Sequence, residues 1–271
     1  MPTSIDWARP WYASIQAVAK KIIAHSDWMA VLNQECAAKR LTNHHELPLS
    51  FVEQSVVPEG TAYETFISAT GTVPTRNNLH DLFNALVWLS FPNIKRQLNA
   101  LQAAQIARAG VGKSRGPARD AATIFDENCA LLVVSDTAQG TAVAEAIRNH
   151  QWQSVFLDQR DIFKQHAEVW LFGHALMEKL VAPYKSITAH AWIVTARDDF
   201  FSMTHLARRE WLDVQVAHEL QKRDLQGFST ACFTPLPVLG VPGWWQPQDR
   251  EFYADAAVFR PKRAAINSVR E

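Results

Sequence analysis

One stretch of this sequence constrains the fold more than any other: residues 75–92, TRNNLHDLFNALVWLSFP. Its pattern predicts a helix that begins after an amide cap at Asn77 or Asn78 and ends before Pro92, because proline cannot continue a helix. The apolar positions cover more than one face of that helix: Leu79, Leu82, Phe83, Leu86, Val87 and Leu89. Such a helix packs on several sides, so we expect other elements of the chain to enclose it.

A short polar stripe interrupts this apolar surface. His80, Asp81 and Asn84 fall within the first two turns at spacings of three and four residues, which places them on one side of the helix. Polar groups in apolar surroundings need hydrogen-bond partners. The stripe therefore predicts a place where polar side chains from several elements meet.

Composition excludes some classes of protein. The 271 residues are 48% hydrophobic and 20% charged, as in a folded globular chain, and 27 basic residues balance 27 acidic ones, so extended contact with nucleic acid is not expected. We see no secretory signal at the N-terminus, and no apolar run approaches the roughly 20 residues of a membrane helix. Cys36, Cys129 and Cys232 lack CxxC spacing, which argues against a disulfide framework or a zinc knuckle. We expect a soluble, cytoplasmic protein.

A second helix, 94–109, follows the central one, and its Lys95, Arg96 and Arg108 predict a solvent-facing surface. The residues after it, ARAGVGKS at 107–114, do not form a phosphate-binding P-loop, because Ala107 stands where that motif requires glycine. They lead into a basic loop at 113–119. There Lys113, Arg115 and Arg119 can clamp an anion, although a merely solvated loop fits equally well.

The middle of the chain predicts strands with polar groups at their ends. Residues 121–135 suggest a hairpin with Asp126 and Glu127 in its turn, preceded by Asp120. After a buried strand at 169–172 comes Gly173 and a helix that carries His174 and Glu178 one turn apart, a spacing that suits a metal but also occurs as a weak surface pair. A strand at 188–196 carries His190, which is either a site residue or a core histidine.

Together these patterns predict an α+β fold: a single domain over 1–271, with a small mixed sheet of about four or five strands flanked by helices. A helical N-terminal layer spans 1–110 and a mixed α/β part spans 111–232. Proline and aromatic residues at 233–271 predict an extended tail that buries several aromatic rings.

Four segments resemble a known family: HDLFNALVWLSFP, RGPARDAATIFDEN, FGHALMEKL, and PLPVLGVPGWW with FYADAAVFRP. They are similar to the bacterial domain-of-unknown-function family 3025, and the similarity covers nearly the whole chain. The resemblance implies a bacterial, soluble, single-domain protein. It implies no activity and no role for any residue.

Three functions fit the sequence. The first is a hydrolase-like enzyme or small-ligand-binding protein whose catalytic candidates are His80, Asp81, His174 and Glu178. This function can include a divalent metal bound by His80, His174 and Glu178. It can also include a small anionic substrate, for which the candidate contacts are Asn84, Arg115, Arg119, Asp120 and His190. The second is a non-catalytic interaction protein whose polar core residues are structural. The third and weakest is phosphate or nucleic-acid binding through the loop 113–119.

Overall fold

The computed structural model describes residues 5–110, 116–197, 199–222 and 227–262. Its strands are β1 Ser50–Glu53, β2 Thr72–Thr75, β3 Cys129–Ser135, β4 Ala167–Leu171, β5 Thr188–Ala196 and β6 Thr234–Pro237. Its α-helices are α1 Gln16–Ile23, α2 Trp28–Ala38, α3 Tyr63–Thr70, α4 Leu79–Ser90, α5 Pro92–Ala109, α6 Pro117–Asn128, α7 Ala138–Arg148, α8 Arg160–His166, α9 His174–Lys179, α10 Asp199–Ser202, α11 His205–Lys222 and α12 Arg250–Ala254. The α+β class is confirmed.

The larger sheet has four strands in the order β4-β3-β5-β6. Strand β3 pairs antiparallel with β4 and parallel with β5, and β5 pairs antiparallel with β6, so the sheet is mixed as predicted. All seven residues of β3 are buried. A strand covered on both faces reads as a continuous apolar run, which is why CALLVVS was recognisable as a strand.

A second, two-stranded sheet joins β1 and β2 in parallel register. The connection between them includes α3, whose C-cap is Gly71. Gly71 has a φ of +74°, and a Cβ there would lie 2.5 Å from the carbonyl oxygen of Pro48. Only glycine fits this left-handed cap, because any side chain would clash with the backbone of the preceding loop.

The central helix α4 is enclosed as expected, since every residue from 81 to 90 is buried. Asn78 caps it, and its Oδ1 accepts a hydrogen bond from the backbone N–H of Asp81 at 2.8 Å. α5 begins at Pro92, and only Phe91 separates it from the end of α4. The prediction that α5 presents Lys95 to solvent was wrong: this side chain is only 4% exposed, while Arg108 is exposed.

The predicted hairpin at 121–135 is also wrong in its first half. Residues 117–128 form the helix α6, and only 129–135 form a strand. Small and apolar residues recur with a helical period on its buried face: Ala118, Ala121, Ala122 and Phe125. Asp126 and Glu127 consequently lie in the last turn of a helix, and Asp126 is buried.

The C-terminal tail adds the edge strand β6 and the short helix α12 to the body. Phe252 and Tyr253 are buried, whereas Trp244 and Trp245 are partly buried and pack against the core. The core itself is one contiguous cluster with members from Trp11 to Phe259. The assignment of 1–271 to a single domain stays a prediction. None of the helices in the described ranges is long and apolar enough to cross a membrane.

Candidate functional site

A close backbone contact brings α9 against α6. The N–H of Gly173 donates to the carbonyl oxygen of Cys129 at 2.8 Å, and a Cβ on Gly173 would lie 2.6 Å from backbone atoms of Asn128 and Cys129. Because glycine has no side chain, the turn before α9 can rest directly on the end of α6. His174, the next residue, is thereby placed beside Asp126.

Two histidines from distant parts of the chain meet at this point. The Nε2 atoms of His80 on α4 and His174 on α9 lie 3.2 Å apart. Their ring centroids are 4.6 Å apart and the ring planes are inclined by 74°. Two of the catalytic candidates are therefore in contact with each other.

The other nitrogen of each ring has its own partner. Nδ1 of His174 lies 2.8 Å from the backbone carbonyl oxygen of Asp126, to which only a protonated nitrogen can donate. Nδ1 of His80 lies 2.9 Å from Oε2 of Glu178. Burial lowers the pKa of His174 to about 4, so its ring is neutral at pH 7. The proton on Nδ1 then leaves the Nε2 lone pair of His174 pointing towards His80.

A buried lysine holds the neighbouring polar groups. Nζ of Lys95 donates to Oδ1 of Asp126 at 2.6 Å and to Oδ1 of Asn84 at 2.8 Å. Nδ2 of Asn84 in turn donates to the hydroxyl of Tyr63 at 3.0 Å. Burial would raise the pKa of Asp126, but Lys95 and the nearby His174 outweigh it, so the pKa lies below its usual value. Asp126 is therefore a charged carboxylate inside the protein.

Asp81 has a different partner from His80. Its carboxylate accepts two hydrogen bonds from the Arg76 guanidinium, both at 3.0 Å, and one from the Arg76 backbone N–H at 2.6 Å. The Asp81 side chain is 8% exposed, whereas that of Arg76 is 59% exposed. The pair fixes the loop before α4 to its first turn, next to His80.

These residues line a pocket of about 450 Å³, a size that suits a small molecule. Its walls are Gln54, Tyr63, Glu64, Arg76, His80, Asp81, Asn84, Asp126, Glu127 and His174. Burial and the negative charge of Asp126 raise the pKa of Glu64. Neither Glu64 nor Glu127 forms an ion pair with any side chain in the described ranges. The pocket thus carries more negative than positive side chains.

The remaining predicted site residues lie elsewhere. His190 on β5 contacts Nδ2 of Asn128 at 2.9 Å and does not line the pocket. Asp120 is exposed on α6, and Arg119, partly buried, lies near enough to Glu64 to lower the pKa of that carboxyl group. Arg115 and Lys113 lie outside the described residues. The catalytic and substrate-binding roles of the predicted residues stay predictions.

The metal-ligand set of His80, His174 and Glu178 does not share one coordination point. Glu178 contacts Nδ1 of His80, whereas His174 faces Nε2 on the other side of the same ring. Across the described residues, no group of three or more His, Cys, Asp or Glu side chains is arranged to hold a metal ion. Any ion at this place would have two imidazole ligands from the protein.

The family model described as "Protein of unknown function (DUF3025)" matches residues 49–263. The chain belongs to this family. All the pocket residues of this DUF3025 chain, from Gln54 to His174, fall inside the matched range. Neither the curated proteins nor the solved structures contain a match to the chain.

Sequence reasoning missed several polar residues in or beside the pocket, among them Lys95, Asp126, Tyr63 and Glu64. Lys95 resembled a surface lysine because the sequence around it is polar: Arg96 and Gln97 follow it directly. Asp126 was assigned to a turn because Thr123 and Ile124 suggested a strand. A helical period over 117–128 was the available signal, since it places Asp126 one turn after the buried Ala122 and on the same face.

Proposed function

We propose that this DUF3025 protein is a hydrolase-like enzyme and that the pocket between α4, α6 and α9 is its active site. The observation that supports this best is the pair of facing Nε2 atoms, 3.2 Å apart, with each Nδ1 held by a separate hydrogen bond. Fixed imidazoles in a pocket are suited to activating water or transferring protons. Glu178 is the residue that orients His80, and the carbonyl of Asp126 orients His174.

Other pocket groups supply hydrogen bonds to a substrate. Tyr63 accepts from Asn84, so its own hydroxyl proton is available to a molecule in the pocket. Glu64, with its raised pKa, is the best carboxyl group in the pocket to donate a proton. Lys95 keeps Asp126 charged and in place rather than touching the substrate.

The substrate we propose is a small polar molecule. A pocket of about 450 Å³ admits one of modest size, and the polar walls favour hydroxyl, amide or amino groups over apolar ones. Arg119, whose charge lowers the pKa of Glu64, is the residue that would meet an anionic group of such a substrate.

A panel of generic ester, amide, phosphoester and glycoside substrates tests the proposal. We expect hydrolysis of at least one class by the wild type and a loss of 100-fold or more in His80→Ala and His174→Ala. His190→Ala is the matched control, because His190 is partly buried but lies outside the pocket. Equal activity in all four proteins, or no turnover of any class, would overturn the assignment.

The interaction-protein hypothesis has less support. It requires a large exposed apolar patch around Trp244 or Trp245, and both rings pack against the core. Binding of phosphate or nucleic acid through 113–119 rests on Lys113 and Arg115, which lie outside the described residues. A cytoplasmic location, expected from the cysteine spacing, remains part of the proposal.

A further inference from the structure

We infer that the Nε2 atoms of His80 and His174 are the two protein ligands of a divalent transition-metal ion. This inference rests on the proposed function, because the ion would be the means by which the pocket activates water. It replaces the set His80, His174 and Glu178 with a two-histidine set, in which Glu178 supports a ligand without touching the ion.

The first argument is the distance between the two nitrogens. Imidazole nitrogens bind zinc at 2.0–2.1 Å, and two such ligands at a tetrahedral angle are roughly 3.3 Å apart. The Nε2 atoms of His80 and His174 are 3.2 Å apart. The separation therefore needs no side-chain movement to admit an ion.

The second argument is the inclination of the rings. A straight N–H···N bond of this length would place the two ring centroids roughly 5.5 Å apart, whereas two ligands of one tetrahedral ion have centroids roughly 5 Å apart. The observed centroid distance is 4.6 Å, with the ring planes inclined by 74°. The observed centroid distance is therefore nearer to the value for two ligands of one ion than to the value for a straight hydrogen bond.

The third argument is the partner of each Nδ1 atom. Histidines that bind metals nearly always donate their other N–H to a carboxylate or a backbone carbonyl. Glu178 Oε2 occupies this position for His80, and the carbonyl oxygen of Asp126 occupies it for His174. The structure has one acceptor of each kind.

Proton accounting agrees with this arrangement. In the metal-free protein, a neutral His80 can donate from only one ring nitrogen, either to Glu178 or to the lone pair of His174. With an ion between the rings, both histidines are neutral and each of the four ring nitrogens has one partner. The ion therefore satisfies the Nε2 lone pairs of both imidazoles at once.

The surroundings set the class of the ion and its task. Imidazole ligands favour zinc, nickel, copper or iron over magnesium and calcium. Glu64 and Glu127 line the same pocket without an ion pair to a described residue, so these carboxyl groups would stabilise a bound cation. His80 and His174 would hold the ion and leave positions for water and substrate, and the ion would act as a Lewis acid that lowers the pKa of a bound water.

Metal titration of the chelator-treated full chain tests the inference. We expect one Zn²⁺ or Co²⁺ per chain by calorimetry, and visible absorption bands of protein-bound Co²⁺ when that ion is added alone. His80→Ala, which removes a side chain that is 38% exposed, should abolish binding without unfolding the protein. Glu178→Gln should weaken it by roughly 10- to 100-fold, as for other outer hydrogen-bond partners of metal ligands.

His44→Ala is the matched control. His44 and His45 also form a close histidine pair, with ring centroids 4.1 Å apart, but His44 Nε2 bonds to Ser68 Oγ outside the pocket. This variant should bind metal as the wild type does. Loss of the ion in His44→Ala, or no stoichiometric binding by the wild type, would overturn the inference.

Activity separates this inference from the proposed function. Hydrolysis that persists unchanged after chelation overturns the metal site and leaves the hydrolase assignment standing. Stoichiometric metal on His80 with no hydrolysis of any class in the panel overturns the hydrolase assignment and supports the metal site.

Discussion

Two buried aspartates show two different ways in which this protein stabilises a carboxylate that is removed from water. Asp126, 8% exposed, lies at the end of α6 in the pocket and has Lys95 at 2.6 Å. Asp213, 4% exposed, lies on α11 and accepts hydrogen bonds from the backbone N–H groups of Asn93 and Ile94 and from Nδ2 of Asn93. The first turn of α5 stabilises both aspartates: the Lys95 side chain contacts Asp126, and backbone N–H groups on that turn donate to Asp213.

The two compensations have opposite effects on acidity. A full positive charge keeps the pKa of Asp126 below its usual value in spite of burial. At Asp213, burial outweighs the N–H donors at the helix start and raises the pKa to about 6. A carboxylate in the pocket therefore stays charged, whereas the one that joins α5 to α11 becomes neutral in mild acid.

The largest effect should come from removing the cation of the first region. Lys95→Met leaves Asp126 buried without its partner, and breaking a buried pair in this way costs about 3–5 kcal/mol. Chemical denaturation at pH 7 measures the free energy of unfolding directly.

The double variant Lys95→Met with Asp126→Leu is the control, because it removes both charges. It should recover much of the lost stability. If the double variant is as unstable as Lys95→Met, loss of packing around the lysine chain, rather than the unpaired charge, explains the effect.

The second region should show its effect as a dependence on pH. An unfolded aspartate ionises near its usual value of about 4, whereas Asp213 in the folded chain keeps its proton up to about 6. Between these values the unfolded state binds fewer protons, so stability falls as the pH rises, by about 3 kcal/mol from this group.

Asp213→Asn isolates that contribution, since the variant lacks the titrating group. The difference in unfolding free energy between the wild type and the variant should change between pH 4 and pH 6 and be constant above pH 7. A difference that is constant throughout would show that Asp213 is ionised in both states.

A smaller effect should follow from weakening the N–H cradle of Asp213. Asn93→Ala removes the side-chain donor at 2.8 Å and leaves both backbone donors in place. We expect a loss of about 1–2 kcal/mol at pH 7, the usual value for one hydrogen bond to a charged group. An NMR titration should also place the pKa of Asp213 higher in this variant.

The smallest effect should come from an exposed ion pair. Nη2 of Arg250 and Oδ1 of Asp158 are 3.1 Å apart, and the two side chains are 70% and 50% exposed. Arg250→Ala should change stability by less than about 0.5 kcal/mol, because water screens such pairs. A larger loss in thermal or chemical unfolding would mean that position 250 stabilises α12 by another route.

Local signals in the sequence were enough for several elements. The cap at Asn78 and the proline boundary at Pro92 each depend on residues within one turn, and the structure has both. The continuous apolar run of β3 likewise predicted a buried strand. In contrast, Thr123 and Ile124 suggested a strand where packing against the sheet selects a helix, because β propensity is easily overridden by burial.

For the candidate site, the sequence by itself determined which polar residues interrupt apolar elements: His80, Asn84 and His174. Only the tertiary structure decided their partners. Glu178 is 98 residues from His80, Lys95 is 31 residues from Asp126, and Gly173 brings α9 onto α6 through a contact that depends on the absence of a side chain. Short-range patterns fix helices and their caps, whereas the pairing of buried charges depends on which elements the core brings together.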